Sequence, residues 1–468
     1  MGEGARRRRQ PGPEHDVSTP PHIAVVGGGL AGITAALDCA ATGAAVTLAE
    51  VRPRLGGAAY SYTRGDLRLD NGQHVFLRCC NAYRALLGRL GREDDVVLQP
   101  RLDLPILAPG RRPVRLRRSG LPAPLQLAGA LARYGLLSRA DRLGVVRAML
   151  ALRAVDTDDR RVDARSFGDW LREHRQSPEA IERVWRLIAT PTLNLEPDDA
   201  SLAQAAYVFQ RALLQDAGAG DIGWSRVPLS DLHDGPARRA LAAAGVDVRL
   251  RARVDGVARA GEGGFALSGL GAPLRADAVV LAVPPERAGP LLVEGALPDP
   301  GAPARLGRSP IVNLHLVYDR RVLDEPMAVA VDAPVSWMFD RTDGSGLERG
   351  QLVSLSLSAA DDLADTPAEQ LRDRAVGALR DLLPAAAGAQ VQAFHVTREH
   401  AATFRVAPGA RALRPPARTA VDGFVLAGGW TDTGWPATME SAVLSGHAAA
   451  AEAIAATHRT SRPAAVAA

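Results

Sequence analysis

The pattern of apolar and polar residues near the start of the chain predicts a strand, a tight turn and a helix. Four apolar residues at 23–26 predict a short buried strand, and three glycines follow it directly. The alanine-rich stretch from Leu30 to Ala41 has the composition of a helix, and a second apolar run at 45–49 predicts another strand. Residues 23–50 are therefore expected to form a β-α-β unit.

The spacing of glycines within this unit indicates a dinucleotide-binding site. Gly27 permits the turn, Gly29 lets the backbone approach a diphosphate, and Gly32 lets the helix pack closely on the strand. The N-terminus of the helix faces the phosphates, which its unpaired N–H groups bind. Glu50, eighteen residues after Gly32 at the end of the second strand, is placed to bind a ribose hydroxyl pair.

The residues after Glu50 indicate which dinucleotide is bound. Arg54-Leu-Gly56-Gly57 follows closely, and a glycine pair suits a second close approach of the backbone to a diphosphate. Nicotinamide enzymes do not usually carry this extension, whereas flavoproteins with two dinucleotide-binding domains do. The pattern therefore favours FAD over NAD.

Later apolar runs show how the chain is organised. Helical stretches are predicted at 121–152, with Ser138 as a helix cap, and at 166–188. Apolar runs at 276–283 and 423–427 predict two more buried strands, and the second turns at Gly428-Gly429 into a helix that begins near Pro436. Strands are also expected at 311–317, 353–357 and 391–395, in an antiparallel sheet.

These elements predict an α/β fold: a two-lobed, Rossmann-like FAD-binding flavoprotein with an inserted helical and antiparallel-sheet substrate lobe. The FAD-binding lobe is assigned to 21–100, 221–289 and 407–456, the substrate lobe to 101–220 and 290–406, and disordered tails to 1–20 and 457–468.

Composition narrows the classes of protein that fit. The chain has 468 residues, is 47% hydrophobic and carries a net charge of +4, and no apolar run approaches the roughly 20 residues that span a bilayer. Three cysteines, Cys39, Cys79 and Cys80, form neither a disulfide framework nor a metal-ligand pattern, so a reducing cytoplasm and no metal are expected. All 56 basic residues are arginine.

The distribution of arginine points to a surface contact. Five arginines at 111–118 precede the apolar stretch 121–152, without the aromatic platforms or reading motif that nucleic-acid binding needs. An anionic membrane surface is the expected counterpart, with 121–152 resting on the inner face of the cell membrane. The alternative is that 121–152 forms a buried pair of cap helices.

Three further motifs accompany the glycine pattern: Asp70-Asn71-Gly72-Gln73-His74, residues 221–229 (DIGWSRVPL) and residues 434–442 (GWPATMESA). With them the chain resembles the flavin amine oxidase and phytoene desaturase superfamily over about 21–456. Within it, the chain is most similar to the hydroxysqualene dehydroxylases, the squalene-associated flavoproteins of bacterial hopanoid pathways.

The resemblance implies FAD as the cofactor and assigns the residues that hold it. The diphosphate is held by Gly27, Gly29, Leu30, Ala31 and Gly32 and by the loop with Arg54, Gly56 and Gly57; Glu50 meets the ribose, Val254 the adenine, and Gly428, Gly429, Asp432 and Met439 the flavin end. Two positions depart from the superfamily pattern. Ala58 stands where an arginine is common, so Arg54 is expected to replace it, and Gly429 stands where an acid is common, with Asp432 as its replacement.

The catalytic residues implied are Gln73 and His74 beside the flavin, with His74 protonating a departing hydroxyl. A structural turn in which Asp70 caps backbone N–H groups is an equal alternative. Asp432 and Glu440 are alternative acids. Flavin contact is favoured for Asp432, and Glu440 is expected to complement the dipole of its own helix. Trp430 and Trp435 form either an apolar substrate wall or simple packing of the flavin pocket.

The expected reaction is reductive dehydroxylation of an apolar triterpene, hydroxysqualene, to squalene. The absence of lysine counts against an amine oxidase, because many of these place a lysine beside the flavin. A carotenoid or phytoene-type desaturase remains the alternative. The intact glycines and Glu50 argue against a flavin-free prenyl-binding escort protein of this fold, and the sequence leaves the electron donor open.

Overall fold

The computed structural model describes residues 20–261 and 263–460. The tails predicted at 1–20 and 457–468 therefore lie largely outside the described residues. The helices are α1 (Leu30–Ala41), α2 (Asn81–Arg89), α3 (Ala128–Ala132), α4 (Arg139–Leu152), α5 (Arg160–Asp163), α6 (Phe167–Glu173), α7 (Pro178–Ala180), α8 (Arg186–Leu193), α9 (Leu202–Phe209), α10 (Leu229–Ala243), α11 (Pro285–Ala288), α12 (Ala302–Arg305), α13 (Ala368–Leu382) and α14 (Met439–Thr460).

The strands are β1 (His22–Val26), β2 (Ala45–Glu50), β3 (Ser61–Arg64), β4 (Leu67–Asp70), β5 (Val75–Leu77), β6 (Val96–Leu98), β7 (Asp103–Leu107), β8 (Val114–Arg117), β9 (Ile222–Ser225), β10 (Asp247–Leu250), β11 (Gly256–Arg259), β12 (Phe265–Ser268), β13 (Leu274–Ala276), β14 (Ala278–Leu281), β15 (Ser309–Tyr318), β16 (Met327–Ala330), β17 (Trp337–Asp340), β18 (Gln351–Leu357), β19 (Val391–Thr403) and β20 (Phe424–Leu426).

A five-stranded parallel sheet with the order β10-β2-β1-β14-β20 carries the predicted β-α-β unit. Successive side chains of β1 face opposite sides of this sheet and pack in two different layers. Ile23 and Val25 pack with helices α1 and α14, whereas Ala24 and Val26 belong to the cluster that also contains Phe265 of the β11-β12-β13 sheet. Because its strands are parallel, their carboxyl ends meet at one edge, where a ligand binds in such folds.

A seven-stranded sheet has the order β19-β15-β18-β17-β16-β7-β8. Its strands all lie within 103–117 and 309–403, outside the segments that form the parallel sheet. The antiparallel arrangement expected for 311–395 holds for β15, β17, β18 and β19, but β16 pairs with β7 in parallel. The sequence does not reveal this pair, because β7 comes from a segment more than 200 residues earlier. The assignment of two lobes stays a prediction.

Helix boundaries differ from the sequence expectation in three places. Residues 121–152 form α3 and α4 with a break at 133–138, where Ser138 caps α4 by accepting from the Asp141 N–H. The helical stretch predicted at 166–188 is interrupted after α6. Helix α14 begins at Met439, three residues after Pro436, because Thr438 accepts the Ser441 N–H and caps it.

The end of α14 corrects the predicted start of the C-terminal tail. The helix runs to Thr460, so residues 457–460 are helical. The reason is packing: α14 lies along α1, and Gly446 approaches so closely that a Cβ there would lie 2.4 Å from the Ala31 carbonyl oxygen. Ala453 and Ala456 are buried near the end of α14.

Candidate cofactor and active site

The first glycine loop leaves β1 and enters α1 through two close approaches. Gly27 has φ +110°, and a Cβ there would lie 2.3 Å from the Ala282 carbonyl oxygen. A Cβ on Gly32 would lie 1.9 Å from the Gly27 carbonyl oxygen. Neither position has room for a side chain. Because both residues are glycine, the chain can turn this tightly, and the N-terminus of α1 lies at the carboxyl edge of the sheet.

Glu50, at the end of β2, joins this loop to the next one. It is buried, and its carboxylate accepts the Gly28 N–H at 2.6 Å and the Arg52 N–H at 2.7 Å. Each carboxylate oxygen retains further lone pairs, so the expected ribose contact stays chemically available. The Ala252 N–H donates to the Glu50 carbonyl oxygen, which brings the segment leading to buried Val254 beside this residue.

The second glycine loop folds onto the first. A Cβ on Gly57, which has φ +61°, would lie 2.8 Å from the Gly29 Cα, and the Gly56 N–H donates to the Gly28 carbonyl oxygen at 2.9 Å. Arg54 donates to the Gly57 carbonyl oxygen at 2.9 Å, and its guanidinium lies 3.5 Å from the centroid of the Tyr60 ring. Burial lowers the pKa of Arg54.

The two loops present backbone donors without protein partners. Within the described residues, the N–H groups of Gly29, Leu30, Ala31 and Gly57 donate to no protein acceptor, and α1 has no side-chain cap. Such a cradle of amides at a helix N-terminus, with no room for a Cβ at its centre, fits a diphosphate. The residues present therefore fit FAD, which would be held here by its diphosphate.

Asn71 ties the Asp70–His74 motif to this cradle. Its side chain donates to the Ala58 carbonyl oxygen at 2.8 Å and accepts the Tyr60 N–H at 3.0 Å, and its own N–H donates to the Tyr60 carbonyl oxygen. The residues immediately after Gly57 are thereby fixed to the motif. Glu399 of β19 accepts from both Asn71 and the Tyr60 hydroxyl, so the seven-stranded sheet reaches the same point.

Asp70 has the contacts of a structural residue. Its carboxylate accepts the Leu229 N–H at the start of α10 and the Ser61 hydroxyl, and it forms a buried ion pair with Arg341 at 2.8 Å. These bonds match the capping alternative for Asp70. Arg341 directly follows β17. The sequence does not mark it as a partner of Asp70, because the two residues are 271 positions apart and only the fold brings them together.

Gln73 and His74 line a narrow cleft together with Trp224 and Phe339, and its water-accessible volume is about 10 Å³. The Gln73 Nε2 atom is buried and has no hydrogen-bond acceptor among the described residues. The His74 Nδ1 lies 3.2 Å from the Gly72 carbonyl oxygen. Since a carbonyl only accepts, Nδ1 carries the proton and Nε2 of the neutral ring is an acceptor. Burial lowers the pKa of His74 below its ordinary value of 6.5.

The late turn after β20 contains Gly428 (φ +133°) and Gly429. Asp432 forms an ion pair with Arg411 at 3.5 Å and accepts the Gly434 N–H at 3.4 Å, and its side chain is 30% exposed. The Trp430 indole donates to the Val283 carbonyl oxygen, beyond the end of β14, and the Trp435 ring packs edge-on against Tyr207. Both tryptophans therefore pack around the turn.

Residues at the start of α14 connect the turn to α2. Glu440 does not simply complement its own helix: it accepts the Ala82 and Tyr83 N–H groups at 3.0 and 2.7 Å and so caps α2. Burial raises its pKa. Met439, the first residue of α14, is partly buried and packs against the cluster shared by α1 and α14. The turn, α2 and α14 thus meet at one corner beside the cofactor cradle.

One residue at this corner is barely marked in the sequence. Arg414, in a segment that looks like an ordinary proline-rich connection, is buried and donates to three carbonyl oxygens of the late turn. Only an arginine followed by two prolines marks it in the sequence. Among the described residues no group of three or more His, Cys, Asp or Glu side chains is placed to hold a metal ion.

The fold and the cradle define an FAD-binding oxidoreductase, and the comparisons agree. A model of the family of flavin containing amine oxidoreductases matches residues 30–454, so the chain belongs to that family. It is an FAD-dependent oxidoreductase.

Relatives place it more narrowly, in an isoprenoid branch. The chain is 30% identical to the hydroxysqualene dehydroxylase of Rhodopseudomonas palustris, over 92% of this chain and 97% of that protein. It is 26% identical to a 15-cis-phytoene desaturase of Solanum lycopersicum, over 91% of this chain and 76% of that protein. Among solved structures, cyclohexylamine oxidase from Brevibacterium oxydans shares the fold with a TM-score of 0.71 at 20% identity, covering 95% of this chain and all of that one.

Proposed function

We propose that this protein catalyses the FAD-dependent reductive dehydroxylation of hydroxysqualene to squalene in hopanoid biosynthesis. The observation that carries the proposal is the 30% identity to a hydroxysqualene dehydroxylase over nearly the full length of both chains. The carotenoid desaturases match at lower identity and with 76% of their length covered. The absence of lysine separates the chain from amine oxidases that use a lysine beside the flavin.

The reaction breaks one C–O bond and forms one C–H bond, and it consumes two electrons and two protons as water leaves. FAD supplies the two-electron step when bound. The chain must then hold the substrate carbon against the cofactor, exclude water and manage one proton. Trp224 and Phe339 supply apolar walls at the cleft, and the unpartnered Gln73 Nε2 supplies a donor for the hydroxyl oxygen.

His74 is the proposed source of the proton. Its neutral ring offers Nε2 as an acceptor, and its lowered pKa leaves it unprotonated near neutral pH. Proton donation therefore requires that the ring first takes up a proton, which the departing hydroxide then removes. A solvent proton delivered through water is the alternative, which the test of His74 in the Discussion distinguishes.

We place the entry of the water-insoluble substrate at a membrane surface formed by residues 121–150. Six large apolar side chains of the described residues are 41–58% exposed, and five of them lie in this segment: Leu121, Leu125, Leu143, Val146 and Leu150. On α4 the exposed apolar residues recur three and four positions apart, opposite the buried Val145, Ala148 and Leu152. Exposed arginines such as Arg139 and Arg147 flank them, as in helices that lie on anionic lipid.

A bilayer is the occupant that this surface fits, because exposed apolar side chains with exposed arginines in the same segment match acyl chains beneath anionic headgroups. None of the helices that the structure describes has both the length and the apolar character needed to cross a bilayer. The proposed contact is peripheral, at the inner face of the cell membrane.

The test of the reaction is an anaerobic incubation of the reduced holoprotein with hydroxysqualene. Recovery of the oxidised flavin absorbance together with an equimolar amount of squalene is expected. Oxidised holoprotein without a reductant is the control and should yield no squalene. If the flavin stays reduced with hydroxysqualene, while the oxidised holoprotein desaturates phytoene, the desaturase alternative replaces the proposal.

A further inference from the structure

Three consecutive carbonyl groups of the late turn point to Arg414. Arg414 donates to the carbonyl oxygens of Gly429 at 3.2 Å, Trp430 at 3.3 Å and Thr431 at 2.6 Å. Ser441 adds a second donor to the Gly429 carbonyl at 2.9 Å. One guanidinium therefore fixes three consecutive peptide groups. The ammonium group of a lysine lacks the planar fork of donors that this arrangement uses.

The amides of the same turn show the opposite pattern. The Gly428 N–H donates to the Ser445 hydroxyl, and the Thr431 N–H donates to the Gly428 carbonyl oxygen. Between them, the N–H groups of Gly429 and Trp430 donate to no acceptor in the part of the chain that the structure describes. Two adjacent free amides in a turn form an anion-binding concavity.

The position of these amides relates them to the cofactor cradle. The turn follows β20, and the first glycine loop follows β1, in the same parallel sheet. Both therefore lie at the carboxyl edge of the sheet, with β14 between β1 and β20. With its diphosphate at Gly29 and Gly57, FAD would extend along this edge toward the late turn.

Arg414 is also short of a counter-charge. It is 5% exposed, its Nη1 atom is buried without a hydrogen-bond partner, and the described residues form no ion pair with it. Asp432 pairs with Arg411 instead. Burial lowers the pKa of Arg414 to about 10, which leaves it charged at neutral pH. A buried cation without an anion is costly, and a bound anionic ligand offsets that cost.

We propose that Arg414 is the residue that orients the late turn, so that the Gly429 and Trp430 amides face the ribityl and flavin half of FAD. It compensates for the glycine at 429, which leaves the turn without a side chain of its own to hold the cofactor. Arg414 is a positioning residue: it acts through the turn, and its charge favours the anionic cofactor. The inference concerns FAD alone and holds whatever the substrate is.

The test compares FAD with ADP, the fragment that lacks the flavin half. Both are titrated into the full-length chain after removal of its FAD. In Arg414→Gln the dissociation constant for FAD is expected to rise about tenfold, whereas that for ADP changes less than twofold, because ADP uses only the glycine cradle. Arg405→Gln is the matched control: Arg405 is a partly buried arginine that pairs with Asp361, and its loss should change neither constant.

Equal weakening of FAD and ADP would show a general structural role and overturn the proposal, as would unchanged binding of both. If Arg414→Gln fails to fold, Arg414→Lys decides the question. It keeps the charge but not the planar fork, so FAD binding should weaken at least threefold with ADP binding unchanged. Wild-type affinity for FAD in folded Arg414→Lys would contradict the orientation of the turn by the guanidinium.

Discussion

Gly29 and Gly57 touch through their backbones: a Cβ on Gly57 would lie 2.8 Å from the Gly29 Cα. The two residues belong to different loops, and the N–H groups of both are free of protein partners within the described residues. Contact without side chains lets both loops turn their amides toward the same diphosphate. The affinity for FAD is therefore expected to depend on the absence of a methyl group at this point.

Replacement of Gly57 by alanine tests this contact. Gly57→Ala should weaken FAD binding at least tenfold, because the new methyl group forces the loops apart and a positive φ disfavours alanine. Gly65→Ala is the matched control: Gly65 has φ +59°, close to the +61° of Gly57, but no atom would meet its Cβ within 4 Å. Comparable loss of FAD in both variants, measured by flavin fluorescence titration, would assign the effect to backbone strain alone.

The ion pair between Asp70 and Arg341 should be important for stability. The pair is buried, with 6% and 12% of the two side chains exposed. Removal of one charge leaves the other buried and unpaired, so Asp70→Asn should lower the free energy of unfolding by about 3–5 kcal/mol. Asp231→Asn breaks the exposed pair with Arg68 and should cost about 0–1 kcal/mol, because solvent screens it. Urea unfolding of the two variants measures the difference.

The pH dependence of turnover tests the role of His74. Burial lowers the pKa of His74 below 6.5, so the protonated ring becomes tenfold scarcer with each pH unit above that lowered pKa. If His74 donates the proton, the rate should rise as the pH falls from 8 toward 6, and His74→Gln should lose both rate and slope. His400→Gln, at an exposed position on β19, is the control. Full turnover by His74→Gln would assign the proton to another donor.

Binding to lipid vesicles tests the surface of residues 121–150. The wild type should co-sediment with vesicles that contain anionic lipid, and the double variant Leu143→Ser/Leu150→Ser should bind at least tenfold less. Both side chains are more than half exposed, so their loss should leave folding intact. The charge contribution is measured with neutral vesicles, to which the wild type should bind more weakly. Equal binding of variant and wild type would exclude this surface.

The fold was largely predictable from residues close together in the chain. The β-α-β unit at 22–50 has apolar runs and glycines whose spacing follows from strand and helix geometry, and Glu50 lies at the end of its strand as expected. The parallel β16–β7 pair was not predictable, because register between distant segments depends on the whole sheet. For the same reason, the capping of α2 by Glu440 and the ion pair of Asp70 with Arg341 were not predictable.

The sequence by itself determined the cofactor cradle, because glycines at fixed intervals allow backbone conformations and close approaches that no other residue permits. The motifs also determined the family to which the chain belongs. Only the tertiary structure decided which polar groups are satisfied: that Asn71 fixes the loop after Gly57, that Gln73 has a free donor, and that Arg414 holds the late turn. Burial and hydrogen-bond partners arise from segments distant in the chain, so no local pattern encodes them.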